Sequence, residues 1–492
     1  MNNMNSINLL LKKMLLFLGI VSTAIFSNCD DILNTTSPTS ISSANIFDTP
    51  ERIEGLVNGA YKSLKSPNLY SGQIIFYGDV RAEEFVSRTE NALAGGYIWA
   101  NNFNNLTGEV NNIWGNLYSV INKTNVIIDG LNSINGIIDD SLKLNYLAEA
   151  HFIRALSYFH LVTIYGQPYL VNDGNEKAIP LRLQPELSSA NNDLERSSVE
   201  KVYEQILTDL NYAEENLPKV YSTNLLNTTR AHRNTAIALK TRVYLNKGDF
   251  EKVIEEAKKI VPQEEAPFYS TSGVEHRLQD DIVSIFTSNY TSSESIFSMP
   301  MTANDPPSGF ALSERYYSDR NFVLNSEEGG IISNSNWEDS DNRRNFVEYD
   351  SDLDLYILAK YRKTSPAIDY MPIIRYAEVL LNYAEAEARA GAGDITKAIS
   401  LLRYVRNRSD DGYTFPNSAL TEDALLNTIR IERRIELIGE GFRTNDILRD
   451  RLTFPSKPSL SSLTPIEVGP SDDRYIFPIP NSEILANKLI NK

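Results

Sequence analysis

The sequence predicts a mainly α fold in which helix pairs pack against an irregular, loop-rich region. Three observations carry that prediction. Apolar residues recur at three- and four-residue steps over much of the chain, the pattern of amphipathic helices. Two stretches, KGDFEKVIEEAKKIV at Lys247 to Val261 and AGDITKAISLLRYV at Ala392 to Val405, each place a Gly-Asp turn between two helices. The segments 66–112, 263–369 and 451–475 break the helical period with Gly, Pro, Ser, Asn and aromatic residues. The scaffold is then expected over 46–65, 113–262 and 370–450, with 46–492 as a single body.

The N-terminal residues read as an address rather than as fold. Lys12 and Lys13 precede an apolar run from Met14 to Phe26, and Ser27 and Asn28 follow before Cys29. This is the plan of a secretory signal. The run is broken by Gly19, Ser22 and Thr23 and falls short of the roughly 20 apolar residues that a spanning helix needs. A thiol at this place is where bacterial lipoprotein processing attaches lipid and cuts, so residues 1–28 are expected to be a lipoprotein signal and Cys29 the lipidated N-terminus. Two or more acyl chains give a stable anchor where one gives marginal binding. The alternative is an ordinary signal with an incidental cysteine, since Asn28 stands where Gly, Ala or Ser is usual. Residues 29–45, rich in Asn, Ser, Thr and Asp, read as a flexible leash.

Helices are expected at Arg52–Leu64, Ile113–Leu131, Tyr146–Tyr165, Ser198–Leu217, Thr235–Asn246, Phe250–Ile260, Ile373–Ala390, Ile395–Arg406 and Ala424–Ile438. Val199, Val202, Tyr203, Ile206, Leu210, Ala213 and Leu217 form one stripe. Ser197 with Glu200 reads as a capping box before it, and Pro218 stops it. The two Gly-Asp hairpins have the sequence form of tetratricopeptide repeats, which stack because one pair cannot bury its own face. Two unrelated hairpins sharing a common turn are the alternative.

Composition removes several functions. Cys29 is the only cysteine, so a lipidated chain has no thiol left for disulfides, thiolate metal sites or nucleophilic catalysis. A net charge of -17 argues against a nucleic-acid partner. With four His, no H-E-x-x-H, no phosphate loop and no G-x-S-x-G, no cofactor, metal or catalytic motif is expected. Asp350, Asp352 and Asp354 alternate like the start of a calcium loop, but Leu355 and Tyr361 stand where Gly and Glu are required. An irregular calcium site using these three, Asp339 or Asp341 is the minor alternative. Glu432, Arg433, Arg434, Glu436, Glu440, Arg443, Asp446 and Arg449 are the densest charged group, and their mixed signs at helical spacing read as a structural ion-pair network.

Taken together, the landmarks resemble the SusD-like (RagB/SusD) family of outer-membrane nutrient-binding lipoproteins. They are IFDTPERIEGLVNGAYKSL, IWGNLYSVINKTNVIIDGL, AEAHFIRALSYFHLVTIYGQPYLV, RSSVEKVYEQILTDLNYAEENLP, IIRYAEVLLNYAEAEARAG, IRIERRIELIGEGFRTNDILRD and YIFPIPNSEI, in that order from Ile46 to Ile484. His151 departs from the family, which more often has Arg or a small residue there. The resemblance implies about four tetratricopeptide-like helix pairs packed against an irregular ligand-binding subdomain. Two pairs would form from Arg52–Leu64 with Trp114–Leu131 and from Tyr146–Tyr165 with Ser198–Leu217. It implies a non-catalytic lid on a SusC-like TonB-dependent barrel, capturing glycans at the cell surface, with a lipid anchor in the outer membrane. Peptide import through the same lid, or a surface glycoside hydrolase, are the alternatives.

A sugar presents apolar C–H faces to aromatic rings and hydroxyls to polar anchors. Asp79, Arg81, Tyr97, Trp99 and Asn102 supply that mixture in the first irregular segment, and Tyr290, Phe310, Tyr316, Tyr317 and Trp337 add rings in the second. Trp99 with Asn102 is the nearest match to the family's platform, and Trp99 and Trp337 are the leading candidates. Trp114, inside a helix, is expected in the core. Cys29→Ser should abolish incorporation of labelled palmitate and move the protein from the membrane to the soluble fraction. Label retained by this variant would place the lipid elsewhere.

Overall fold

The computed structural model describes residues 45–492 except 92–93, 189, 191 and 308, so Cys29, the signal and nearly all of the leash lie outside the described residues. The chain divides into two units, residues 1–53 and 54–492. In the first, the described residues are a turn and the start of helix α1 (Pro50–Leu64). The second holds everything below.

Its main helices are α2 (Gln73–Val80), α3 (Gly108–Ser133), α4 (Asp140–Tyr165), α5 (Val199–Asn216), α6 (Arg233–Lys247) and α7 (Phe250–Lys258). They continue as α8 (Tyr376–Arg389), α9 (Ile395–Ser409), α10 (Glu422–Leu437) and α11 (Arg443–Arg449). From α3 to α9 each helix packs on the next, and α10 packs on α8 and α9. Such stepwise stacking is how helical repeats build a continuous core.

Local chemistry sets the ends of these helices. The stripe of α5, from Val199 to Ala213, is buried as its spacing requires. Its cap is Ser198, whose hydroxyl accepts from the Lys201 amide at 3.2 Å, one residue beyond the expected Ser197. Between α6 and α7, Gly248 takes a left-handed conformation (φ +76°) and the Asp249 carboxylate caps the Lys252 amide. Between α8 and α9, a Cβ on Gly393 would lie 2.1 Å from the Glu387 carbonyl oxygen. Only glycine fits there, and Asp394 then accepts from the Thr396 and Lys397 amides. The two hairpins meet where α7 packs on α8, which is the expected repeat stacking.

Two expectations change. The Tyr146–Tyr165 and Ser198–Leu217 helices do pair: Arg154 on α4 forks onto Asp209 on α5 at 2.7 and 2.8 Å, and His151 adds a bond at 2.7 Å. The helix containing Trp114, however, packs mainly along α4 and not as a pair with Arg52–Leu64. Ile373 and Ile374 belong to a strand rather than to α8, because a ladder from another segment claims them.

The strands are β1 (Phe85–Ser87), β2 (Ser295–Met299), β3 (Phe322–Leu324), β4 (Val347–Asp350), β5 (Leu355–Leu358) and β6 (Met371–Arg375). They form three antiparallel two-stranded ladders, β1–β3, β2–β6 and β4–β5. The first two join residues more than 70 positions apart, such as Val86 with Val323 and Met299 with Met371. A two-stranded ladder is marginal by itself, so these depend on side chains beneath them. Phe76 of α2 is the hub, with ring centroids of Phe322 at 4.8 Å, Tyr77 at 5.3 Å, Phe310 at 5.6 Å and Tyr316 at 5.7 Å.

The charged group around α10 is a buried network. Glu436 accepts from Arg343, Arg375 and Arg408 at 2.6–3.0 Å. Arg375 also reaches Glu294 and Glu440, and Arg343 reaches Asp341 and Glu432. Nearby, Arg449 of α11 forks onto Glu385 of α8 at 2.6 and 2.8 Å.

Burial alone would raise the Glu385 carboxyl, but the Arg449 and Arg389 guanidinium groups overcome it and hold it at about 2, below its ordinary 4.5. A depressed carboxyl contributes stability that is present above pH 4.5 and lost as pH falls through its folded value. Glu385→Gln should therefore cost about 3–5 kcal/mol near neutral pH by leaving buried arginine charge uncompensated. The gap from wild type should narrow as pH falls from 4.5 toward 2. Urea unfolding followed by circular dichroism tests this, and parallel pH profiles for the two proteins would refute it.

Candidate functional site

Most residues expected to touch ligand instead hold the loop-rich region together. Trp99 is 0% exposed; its indole N–H donates to the Phe85 carbonyl at 2.8 Å and the Lys457 ammonium sits 4.9 Å from its ring centroid. Trp337 is buried with the Arg344 guanidinium 4.5 Å from its ring centroid. Tyr316 is buried and stacks on Phe85 at 4.7 Å. None of these three rings can offer a face to a sugar, and the physical reason is common to them: an irregular region has no amphipathic helix to supply its core, so its aromatics supply it.

Asp79 and Arg81 are buried too. The Asp79 carboxylate accepts the amides of Gly441 and Arg443, tying α2 to the start of α11. Burial pushes its carboxyl up to about 8 against the lowering effect of those two amides. Arg81 donates to Asn101 and to the Arg474 and Tyr475 carbonyls, with its guanidinium 4.3 Å from the Phe454 ring centroid. Both are cross-links, not anchors. Trp114 is buried as expected, its N–H donating to Glu483 at 3.2 Å.

Tyr97, Asn102 and Tyr290 do reach solvent. Tyr97 lies on the helical turn Gly96–Trp99 and is 41% exposed. The backbone amide of Asn102 donates to the Tyr97 carbonyl at 2.9 Å, so these two sit together. Tyr290 lies elsewhere in the sequence, in a surface arrangement that its neighbours complete. Its ring stacks on Tyr370, centroids 4.8 Å apart and planes 10° from parallel. Its hydroxyl donates to Asp369 Oδ1 at 2.8 Å, and Asp369 Oδ2 accepts the Lys363 amide at 2.8 Å. The Lys363 ammonium is 4.7 Å from the Tyr290 ring centroid, and the next guanidinium, Arg362, is 5.8 Å from that of Tyr317.

The half-buried parallel rings give a flat apolar surface of the kind a sugar stacks on, with the Lys363 ammonium over Tyr290 as the nearest polar group and the buried Asp369 carboxylate fixing the Tyr290 hydroxyl. Burial raises the Asp369 carboxyl, against the Lys363 amide and the Tyr290 hydroxyl, which lower it. Tyr370 and Asp369 were not among the sequence candidates. The dipeptide sits at the edge of strand β6, where alternation would have given a ring beside a polar residue no special weight.

A cavity between Tyr70, His160, Arg242 and Phe442 measures about 80 Å³. Asp341 is paired with Arg343 and Asp350 with Arg320. Among the described residues no group of three or more His, Cys, Asp or Glu gathers to hold a metal ion.

Comparison with known proteins follows the same lines. Residues 31–245 match a family described as starch-binding associating with outer membrane, and residues 353–492 match the SusD family. A SusD superfamily protein from Bacteroides fragilis is 33% identical and superposes with a TM-score of 0.81, over 91% of this chain and 100% of that one. The chain belongs to the SusD family. Among other relatives of this SusD family member, SusD-like protein P2 of Formosa agariphila is 27% identical over 90% of this chain and 92% of its own length. A laminarin-binding SusD-like protein shares the fold at a TM-score of 0.69 and 21% identity, over 89% of this chain and 98% of that one.

The buried and the exposed aromatic of the Gly96–Trp99 turn can be separated by stability. Trp99→Ala should cost about 3–5 kcal/mol, as large aromatic truncations in a core do, whereas Tyr97→Ala should stay within about 0.5 kcal/mol, as exposed sites do. Chemical denaturation measures both, and equal small losses would return Trp99 to the surface.

Proposed function

We propose that this SusD family member is a non-catalytic protein that binds oligo- or polysaccharide at the cell surface and delivers it to a partner barrel. The Tyr290–Tyr370 stack with Asp369 and Lys363 is the observation that carries this reading. The description of the matching family as starch-binding, and the laminarin-binding relative of the same fold, support a glycan as ligand. The lid role on a SusC-like TonB-dependent transporter, and lipid anchoring through Cys29 in the outer membrane, rest on family membership and on the sequence around Cys29. Among the described residues no helix is long and apolar enough to cross a membrane, which suits attachment by a lipid.

The physical part of the mechanism is capture. Asp369 holds Tyr290, and Tyr370 stacks on it, before any ligand arrives, so little ordering is left to oppose binding. Ring faces give affinity and the Lys363 ammonium beside them gives orientation. The carboxylates that a glycosidase would employ must flank a bond at a defined separation, whereas Asp369 is committed through both oxygens to Tyr290 and Lys363.

Isothermal titration of the purified protein against a polysaccharide panel that includes laminarin and starch tests the binding site. Replacing both Tyr290 and Tyr370 with Ala should weaken the cognate glycan by about 2 kcal/mol or more, roughly 30-fold. Undiminished affinity would remove this platform from the site, and release of reducing ends from any polysaccharide would overturn the non-catalytic reading.

A further inference from the structure

A second pair of tyrosines lies away from the first, on the β4–β5 hairpin. Tyr349 and Tyr356 are direct cross-strand partners and so share one face of the hairpin. Their ring centroids are 5.3 Å apart with planes at 58°, and they are 51% and 40% exposed. Their strand neighbours Asp350 and Ile357 turn to the opposite face and are buried. There Ile357 packs with Val86 and Val323, and Asp350 pairs with Arg320 at 2.6 Å. The hairpin is thus anchored by one face and presents two rings on the other.

The turn holds the Tyr349 ring in place. Asp350 Oδ1 accepts the amides of Asp352 and Leu353 at 3.0 and 3.2 Å. Asp354 takes a left-handed backbone (φ +56°), which Asp tolerates better than most residues. Its carboxylate then accepts the Tyr349 hydroxyl at 2.5 Å. A side chain committed in this way gives up little freedom on meeting a ligand.

We infer that Tyr349 and Tyr356 form a second subsite for a neutral glycan chain, used by polymers long enough to engage it together with the Tyr290–Tyr370 platform. This rests on the glycan reading above and narrows it. Flat rings match the C–H face of a sugar, and the exposed carboxylates of Asp352 and Asp354 accept bonds from hydroxyl groups. The same carboxylates repel sulfate and uronate, and the chain as a whole carries -17. Of the nearby cations, Arg320 is engaged by Asp350, Arg362 by Glu348 at 3.6 Å, and Arg344 by the Ile332 and Trp337 carbonyls. The two pairs are linked through the chain: the Lys363 ammonium lies over the Tyr290 ring, and its neighbour Arg362 pairs with Glu348 on the hairpin face opposite the tyrosines.

The test compares the full mature chain, Tyr349→Ala with Tyr356→Ala, and Tyr290→Ala with Tyr370→Ala. Each is titrated with laminarin or starch, with the short oligosaccharides of that same polymer, and with alginate or a sulfated galactan. The hairpin variant should lose at least tenfold in affinity for the neutral polymer, keep its affinity for the short oligosaccharide, and melt at the wild-type temperature. Unchanged affinity for the polymer, with the Tyr290 and Tyr370 variant impaired, would overturn the second subsite and leave the glycan reading standing. Tighter binding of the acidic polymer than the neutral one would overturn the ligand class. A changed oligomeric state with unchanged glycan affinity would assign the tyrosines to contact between copies. No binding of any glycan by the wild type would overturn both readings.

Discussion

Three guanidinium groups converge on the carboxylate of Glu436, and much of the molecule depends on that meeting. Arg343 comes from the loop-rich region, Arg375 from the end of β6, Arg408 from α9, and Glu436 itself from α10. Moving one such ion out of water costs several kcal/mol, and the cost is recovered only where geometry is good and the remaining donors are satisfied. Here they are: Arg375 continues to Glu294 and Glu440, and Lys360 closes on Glu440 and the Ile438 carbonyl. A loop displaced by an ångström or two would leave buried charge unpaired. The network therefore selects one arrangement of the irregular region on the helices.

That selection matters because the irregular region has little regular hydrogen bonding to define it. Its ladders are two strands wide, and its interior is a set of rings around Phe76. Rings pack well at several angles, so aromatic burial supplies cohesion without specifying position. Directional bonds do the specifying. Asp79 fixes α2 to Gly441 and Arg443, and Arg81 fixes it to the Arg474 and Tyr475 carbonyls.

This division explains what was legible in the sequence. The helical scaffold could be read because amphipathic spacing is a local signal: the α5 stripe and the two Gly-Asp hairpins lie where the pattern placed them. The α10 charges could be read as structural because opposite signs at helical spacing are local as well. The assignment of Ile373 and Ile374 to α8 failed because their ladder partners lie some 75 residues earlier, near Ser295–Met299. The site was the least legible part. In a loop, a tryptophan that plugs a core and one that greets a sugar have the same sequence appearance. Trp99 and Trp337 proved to be the first kind, while Tyr370 enters the proposed platform only through its stacking on Tyr290, 80 residues away in the chain.

The same reasoning gives the anchoring network a functional side. A binding surface made of loops pays an ordering cost unless something else has already fixed the loops. Asp369 ties Tyr290 to the segment carrying Lys363, and that segment directly follows Lys360, which is held by Glu440. Directly after Tyr370 the chain enters β6, which ends at Arg375 on Glu436. The ring platform is thus bracketed on both sides by members of the buried ion network. Rigidity generated deep beside α10 is delivered to the surface over a few residues of chain, so the network and the platform are parts of one device.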